Sequence, residues 1–221
     1  MIPVTSAQLQ LLAPNIRSNY RNGFADADKV LADYDINSTA LHLAHFMAQI
    51  LHESGGLTVL IENLDYRAER IREVWPSRFK TVEDAKPFAH NPEALANKVY
   101  GGRMGNIQPG DGWRFIGRGL LQITGRESYE RYGKALGIEL AASPDLAFSA
   151  EWCLPLAAAE WYAAGCNAFA DADDIRKVTR AINGGYTGLT SRKKWLARTR
   201  QVWMTSGVVE NATIRAGSAG R

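Results

Sequence analysis

Cysteine is scarce: the 221-residue chain holds two, Cys153 and Cys166. Two thiols at this length make no disulfide framework, and no C-x-x-C pair is present for metal or redox work, so both are expected to be buried thiols. Long apolar runs are also missing, and no stretch approaches the roughly 18 residues that a membrane span needs. The opening Met1-Ile2-Pro3-Val4-Thr5-Ser6 lacks the basic start and apolar run of a secretory signal, so synthesis in the cytoplasm without a signal peptide is expected. Acidic residues are nearly absent from one end. Residues 176–221 hold 10 Lys/Arg against 1 Asp/Glu, a net of +9, whereas residues 1–175 hold 16 against 22, a net of −6. A basic end on a mildly acidic body fits either an anionic partner, such as wall polymer, lipid or nucleic acid, or an ordinary solvated helix face.

What is present suits one globular domain. Hydrophobic residues make up 46% of the chain, enough for a real core, and 22% are charged. Neither internal repeats nor an evident linker divides the chain. The expected organisation is a single catalytic-sized domain over 1–205 and a small, polar, frayed tail over 206–221.

Most segments read as helix. Thr5 or Ser6 caps a first helix that must end before Pro14, and 26–34 is a second candidate. Ser38-Thr39 caps a strong helix running to about His52, whose polar members His42, His45, Gln49 and His52 recur at spacings of 3, 4 and 3 and so share one face. Gly55-Gly56 stops it. From Leu57 to Tyr66 the helical period is lost and an extended or irregular segment is expected. Another helix begins near Arg67. Residues 100–112 hold five glycines, which reads as a mobile loop. Arg114 to Thr124 suggests a short strand, followed by a helix around Ser128 to Leu136. The apolar run from Ala147 to Ala164 reads as a buried helix, Asp173-Asp174 start another that ends at Gly184-Gly185, and a last helix covers about Ser191 to Met204. The expected class is α+β, mainly helical, with a small irregular β region.

Chemistry concentrates around Glu53. It closes an apolar helix, where the macrodipole is negative and the surroundings are greasy, a setting suited to a carboxyl that must hold its proton as a general acid. Nine residues later, past the glycine break, stands Glu62, able to face Glu53 across a groove. Paired carboxylates are the minimum equipment for glycoside hydrolysis, although two glutamates at this spacing are usually surface residues.

A third block reads Gly117-Arg118-Gly119-Leu120-Leu121-Gln122-Ile123-Thr124-Gly125-Arg126, followed by Tyr129. Together with His52-Glu53-Ser54, Glu62 and Ala181-Ile182-Asn183-Gly184-Gly185, it resembles glycoside hydrolase family 19, which holds chitinases and many phage endolysins. The match runs over about 5–205 with the blocks in order. The resemblance implies a lysozyme-like domain with a substrate groove, in which Glu53 is the acid, Glu62 the base that activates water, and Thr124 the hydroxyl that holds it. Gln122, Tyr129 and Asn183 would line the sugar subsites, with His52 beside the acid. The family also brings an arginine of the last helix near the acid, for which Arg192 and Arg198 are both candidates. The plant members are richer in cysteine and secreted, so this chain resembles the phage and bacterial branch. Glu62-Asn63-Leu64-Asp65-Tyr66 and Trp75-Pro76-Ser77-Arg78-Phe79 point the same way, towards peptidoglycan rather than chitin. The implied enzyme is a monomer that needs no cofactor and acts on peptidoglycan glycan strands of the cell wall after release. A second expected partner is an anionic wall or outer-membrane surface, met by the basic C-terminal helix; no nucleic acid is expected.

Rival readings remain. Three histidines on one face suggest zinc, but Ser54-Gly55-Gly56 follows His52-Glu53 and leaves no second histidine for His-Glu-x-x-His. A lytic transglycosylase would also use one glutamate at a helix end, but it has no need of Glu62 and Thr124. A wall-binding module that lost its chemistry would have no need of Glu53 either, and no Gly-x-Ser-x-Gly elbow supports a serine nucleophile. The glycine-rich segment is either a plain surface loop or a flap that stacks Tyr100 or Trp113 on a sugar.

Overall fold

The computed structural model describes residues 1–204, so the tail expected from 206 lies outside the described residues. Helices follow one another along the chain: α1 (Ser6–Leu12), α2 (Ser18–Gly23), α3 (Ala27–Ala32), α4 (Ala40–Glu53), α5 (Ala68–Val74), α6 (Val82–Ala85) and α7 (Pro92–Tyr100). Then come α8 (Asp111–Arg114), α9 (Arg126–Leu136), α10 (Cys153–Ala163), α11 (Cys166–Asp171), α12 (Ile175–Asn183) and α13 (Leu189–Trp203). Extended pairing among the described residues is confined to two antiparallel bridges, Ile61 with Arg118 and Arg118 with Ile123. The expected strand near 114–124 is therefore a single point of pairing between three passes of chain. No helix among the described residues is long and apolar enough to cross a membrane.

The organising element is α4. The Thr39 hydroxyl accepts from the His42 N–H at 3.0 Å and starts it. Every residue from His42 to Leu51 is buried, as befits a helix that is apolar nearly all round. It ends where Gly55 and Gly56 turn left-handed, at φ 58° and 73°, and the Gly56 N–H reaches back to the Leu51 carbonyl at 2.7 Å. Leu43, Phe46, Met47, Ile50 and Leu51 pack with Leu154, Ala157, Ala158 and Trp161 of α10 in the main core. On another side, Ala44 and Ala48 let α13 approach closely. Leu196 packs on these two alanines, and the Thr199 hydroxyl donates to the Ala44 carbonyl at 2.8 Å.

A second cluster joins α5 and α7 through Ile71, Leu95 and Val99, with Phe79 and Ile116. The Asn91 side chain caps α7, accepting from the Ala94 N–H at 3.2 Å, and Pro92 sits at its first position. A third cluster sets Phe115, Ile123, Tyr129, Tyr132 and Leu140 against Leu156. Cys153 and Cys166 are both free and buried.

The polar stripe of α4 is not solvated. His42 is 4% exposed and His45 and Gln49 are sealed, because the stripe docks the C-terminal third of the chain. His42 meets Asp171 at 2.7 Å, His45 meets Asp173 at 2.8 Å, and Gln49 accepts from Arg192. Polar contacts thus fix the end of α11, the turn after it and α13 across α4, the last with apolar contact as well.

Candidate active site

Glu53 and the middle of the Gly117–Arg126 block meet in one cleft of about 630 Å³, lined also by Arg131, Glu160 and Asn183. Glu53 closes α4 with its side chain 18% exposed, and its Oε1 accepts from the Arg192 guanidinium, which is 1% exposed. The same guanidinium donates to Gln49 Oε1. The surroundings of Glu53 are therefore those of an ion pair and not the greasy pocket expected. Of the two candidate arginines of the last helix, Arg192 is the one that reaches Glu53. Its partner candidate Arg198 lies elsewhere, donating to the Leu12 carbonyl at 3.2 Å and stacking over Trp195 at 4.3 Å.

His52 holds the ring of residues that delivers Arg192. Its Nδ1 is 2.9 Å from the Ser191 hydroxyl, and Gly188 lies so close that a Cβ there would fall 2.3 Å from His52 Nε2. Gly188 has φ 75°, so only glycine fits both the turn and the contact. Burial, followed by the nearby Arg192 charge, lowers the His52 pKa, which keeps the imidazole neutral at neutral pH.

Glu62 is held by two donors. The Gly117 N–H donates to Oε1 at 2.6 Å and the Tyr100 hydroxyl to Oε2 at 2.8 Å. The Tyr100 hydroxyl is therefore committed to the Glu62 carboxylate, with its ring half-buried. Its phenol is pushed well above its ordinary range by burial first and the Glu62 charge second. Three side chains converge on Gly117. A Cβ placed there would lie 3.1 Å from Gln122 Oε1, 3.2 Å from Thr124 Oγ1 and 3.4 Å from the Glu62 carboxyl carbon. Glycine at this point lets the carboxylate, hydroxyl and amide gather. The Thr124 hydroxyl donates to the Gln122 carbonyl at 2.8 Å, which leaves its oxygen free to accept. Gln122 itself has left-handed backbone at φ 57°, an uncommon posture for a residue with a side chain and one that tends to occur at functional sites.

Arg118 and Tyr129 build the wall behind this group. Arg118 donates to the Arg114 and Ile116 carbonyls at 2.9 and 3.2 Å and pairs with Asp145 at 3.0 Å. The Tyr129 hydroxyl donates to the Ile116 carbonyl at 2.8 Å. Tyr129 is fully buried, so it supports the chain that carries Gly117 and does not line a sugar subsite. Asn183 does reach the cleft. Trp113 is 37% exposed on α8, with its N–H on Asn97 Oδ1 at 2.9 Å, and it does not line the cleft. The glycine-rich segment is tied down at its far end. Asp111 takes Arg126 Nε at 2.9 Å and Nη2 at 2.5 Å, and Asn106 Oδ1 takes the Arg126 N–H at 2.8 Å. That pairing holds the Asp111 carboxyl below its usual range.

Sequence reasoning misses Glu160, and it leaves the choice between Arg192 and Arg198 open although α13 carries a signal for it. Arg192, Leu196, Thr199 and Trp203 recur at helical spacing on the buried side of α13, so the stripe itself marks Arg192 as inward. Glu160 is a lone carboxyl inside an otherwise apolar helix.

A mainly helical fold with Glu53, Gln122, Thr124 and Asn183 lining one cleft, and Glu62 close to Gln122 and Thr124, fits a glycoside hydrolase of the lysozyme-like kind. Comparison with known proteins agrees. The chain is 39% identical over 153 residues, 68% of its length and 74% of the relative's, to a glycosyl hydrolase family 19 domain-containing protein of Haemophilus influenzae. Its fold matches chitinase C from Streptomyces griseus at TM-score 0.61, with 22% identity, over 90% of this chain and 76% of that one. It matches a bacterial family 19 chitinase at TM-score 0.63 with 21% identity, covering 90% and 94%, and a class IV family 19 chitinase from Zea mays at 0.56 with 16%, covering 90% and 91%. No family model matches. The chain belongs to glycoside hydrolase family 19.

Proposed function

We propose that the protein is an endolysin-type hydrolase that cleaves β-1,4 bonds between the N-acetylated amino sugars of peptidoglycan, by an inverting acid/base mechanism. The observation that carries the reading is the gathering of Glu62, Gln122 and Thr124 around Gly117, beside the cleft that holds Glu53. Arg192 occupies Oε1 of Glu53, so Oε2 is the oxygen that gives its proton to the leaving glycosidic oxygen. As the proton departs, the guanidinium matches the new carboxylate charge without reorganising. Glu62, oriented by the Gly117 N–H and the Tyr100 hydroxyl, accepts the proton of a water that attacks the anomeric carbon from the opposite face. Thr124 accepts a hydrogen bond from that water, since its own proton is spent on the Gln122 carbonyl.

The cysteine-poor sequence, the Glu62–Tyr66 and Trp75–Phe79 stretches and the exposed Lys193 and Lys194 support peptidoglycan, a polyanionic wall component. A chitinase is the second reading, favoured by the chitinases among its structural neighbours. Mass spectrometry of products from purified peptidoglycan and from chitin oligomers decides between them. Free reducing ends from peptidoglycan, released as the inverted anomer by proton NMR at early turnover, are expected. Cleavage of chitin alone selects the chitinase, and anhydro sugar products select a lytic transglycosylase and remove the base role from Glu62.

A further inference from the structure

Glu160 stands on α10, whose neighbouring residues Leu156, Ala157, Ala158, Ala159 and Trp161 are apolar and buried. Its side chain lines the same cleft as Glu53, Gln122, Thr124 and Asn183. Its Oε2 is sealed from solvent and has no hydrogen-bond partner. The titratable groups that face it are Glu53 from α4, Arg131 and Tyr132 from α9, and Cys166 from α11. Arg131 is engaged elsewhere, with Nη2 on the Ser128 hydroxyl at 3.4 Å and its guanidinium over the Tyr132 ring at 5.0 Å.

A buried polar oxygen without a partner is costly, and an aliphatic side chain at this point of α10 would avoid the cost. A ligand in the cleft that supplied the missing partner would remove that cost. Burial first, and the Glu53 charge second, push the Glu160 carboxyl up to about 8, so at neutral pH it is a neutral acid with an O–H to donate. Its natural complement is a neutral oxygen acceptor, because an anionic one would also meet Glu53. On an N-acetylated amino sugar the strongest such acceptor is the acetamido carbonyl.

We propose that Glu160 is a further substrate-binding residue, whose carboxylic acid donates a hydrogen bond to the acetamido carbonyl oxygen of the amino sugar bound beside Glu53. The proposal rests on the glycan reading above and adds an alkaline limit to it. The acid is intact below about pH 8 and loses its donor proton as pH rises through that value, so affinity for the glycan falls on the alkaline side. Cys166 and Tyr132, each pushed up to about 12, do not titrate in that window.

The test is calorimetric binding of a β-1,4-linked tetramer of N-acetylglucosamine to Glu62→Gln protein, in which turnover is stopped and the Glu53 carboxyl beside Glu160 is kept, at pH 6 and pH 9.5. The parent is expected to bind about tenfold more weakly at pH 9.5, the size of one lost hydrogen bond. Adding Glu160→Gln, which keeps a neutral donor, should hold affinity within about twofold at both values, by the same measure. Adding Glu160→Leu should weaken binding about tenfold at pH 6 and remove the pH dependence. An alkaline loss that persists in the Glu160→Gln protein, tight binding by Glu160→Leu, or no binding by the parent overturns the proposal. If Glu160→Leu fails to fold by circular dichroism, the Glu160→Gln comparison alone decides. Cleavage of the tetramer by the wild type is scored separately. No cleavage with intact pH-dependent binding refutes the hydrolase reading and spares Glu160, while cleavage with pH-independent binding does the reverse.

Discussion

Replacing Glu53 by glutamine separates two roles that meet in one carboxyl. As the general acid it should be worth about 10²–10⁴-fold in turnover, since an amide has no proton to give at any useful pH. As the counter-charge of Arg192 it should also matter for stability, because that guanidinium is 1% exposed and its other side-chain acceptor is the uncharged Gln49. Removing one partner of a buried pair costs about 3–5 kcal/mol when nothing replaces it. Here the glutamine oxygen can still accept from Arg192, and the helix end reaches water, with the Glu53 side chain 18% exposed. A cost of about 2 kcal/mol is therefore expected, between the full penalty and a single hydrogen bond. For a chain of this size each kcal/mol lowers Tm by about 2–4 °C, so the variant should melt about 4–8 °C below the wild type. Calorimetric melting and turnover on oligosaccharide, measured on the same preparation, read the two roles apart. Wild-type turnover in folded Glu53→Gln protein sinks the acid assignment. An unchanged Tm shows instead that the pair with Arg192 contributes nothing net.

Glu62→Ala should lower turnover more than Thr124→Ala, since one deprotonates the water and the other only holds it; equal losses in steady-state assays would contradict this division. Gly117→Ala puts a methyl 3.1 to 3.4 Å from Gln122, Thr124 and Glu62, so turnover should fall about tenfold or more while Tm moves by a few degrees, the displacement being local to the reacting groups. Lys193→Glu with Lys194→Glu reverses two exposed charges and should weaken binding to whole cell walls at low salt while sparing soluble fragments; unchanged sedimentation with walls would show that these lysines only solvate the helix. Burial is the largest influence on His45 and lowers its pKa below the ordinary 6.5, so the folded state resists a proton that the unfolded chain accepts. Stability should decline as pH falls below about 6.5, and denaturant titrations at pH 7.5 and 5.5 should show a smaller decline in His45→Gln.

The strongest helices were legible because their caps and periods agree. Thr5, Thr39 and Asp174 cap α1, α4 and α12 as their sequence contexts suggest, and Gly55-Gly56 and Gly184 end two of them. The short helices α2, α6, α7 and α11 escaped, being four to nine residues long and held by packing rather than by their own pattern. For α7 a signal existed: Asn91-Pro92-Glu93 is a start sequence, and Leu95, Ala96 and Val99 form its buried face. Glu53, Gln122, Thr124 and Asn183 were legible as motif residues and line one cleft, and Glu62, legible too, gathers with Gln122 and Thr124 around Gly117. Tyr129, Tyr100 and Arg198 were legible as residues but not as roles. Aromatic rings and long cations serve equally as walls, hydrogen-bond partners or platforms, and only neighbours from distant sequence decide among them. Tyr100, for instance, meets Glu62 across 38 positions.

The basic end of the chain shows the same point with consequences for the site. Charge counting treats 176–200 as one solvated surface, yet α13 divides its cations by face. Lys193 and Lys194 are exposed, Arg200 is paired with Asp173, and Arg192 is buried against Glu53. The division follows from α4, whose polar side meets the C-terminal segments at successive turns: His45 donates to Asp173, Gln49 and Glu53 accept from Arg192, and His52 meets Ser191. A stripe that looks solvated by composition is in fact a docking seam, and Glu53, the residue proposed as the acid, closes the same helix. Docking and chemistry therefore share a helix face. Substitutions along that seam should move the position of Arg192, and with it the setting of Glu53, before they unfold the domain.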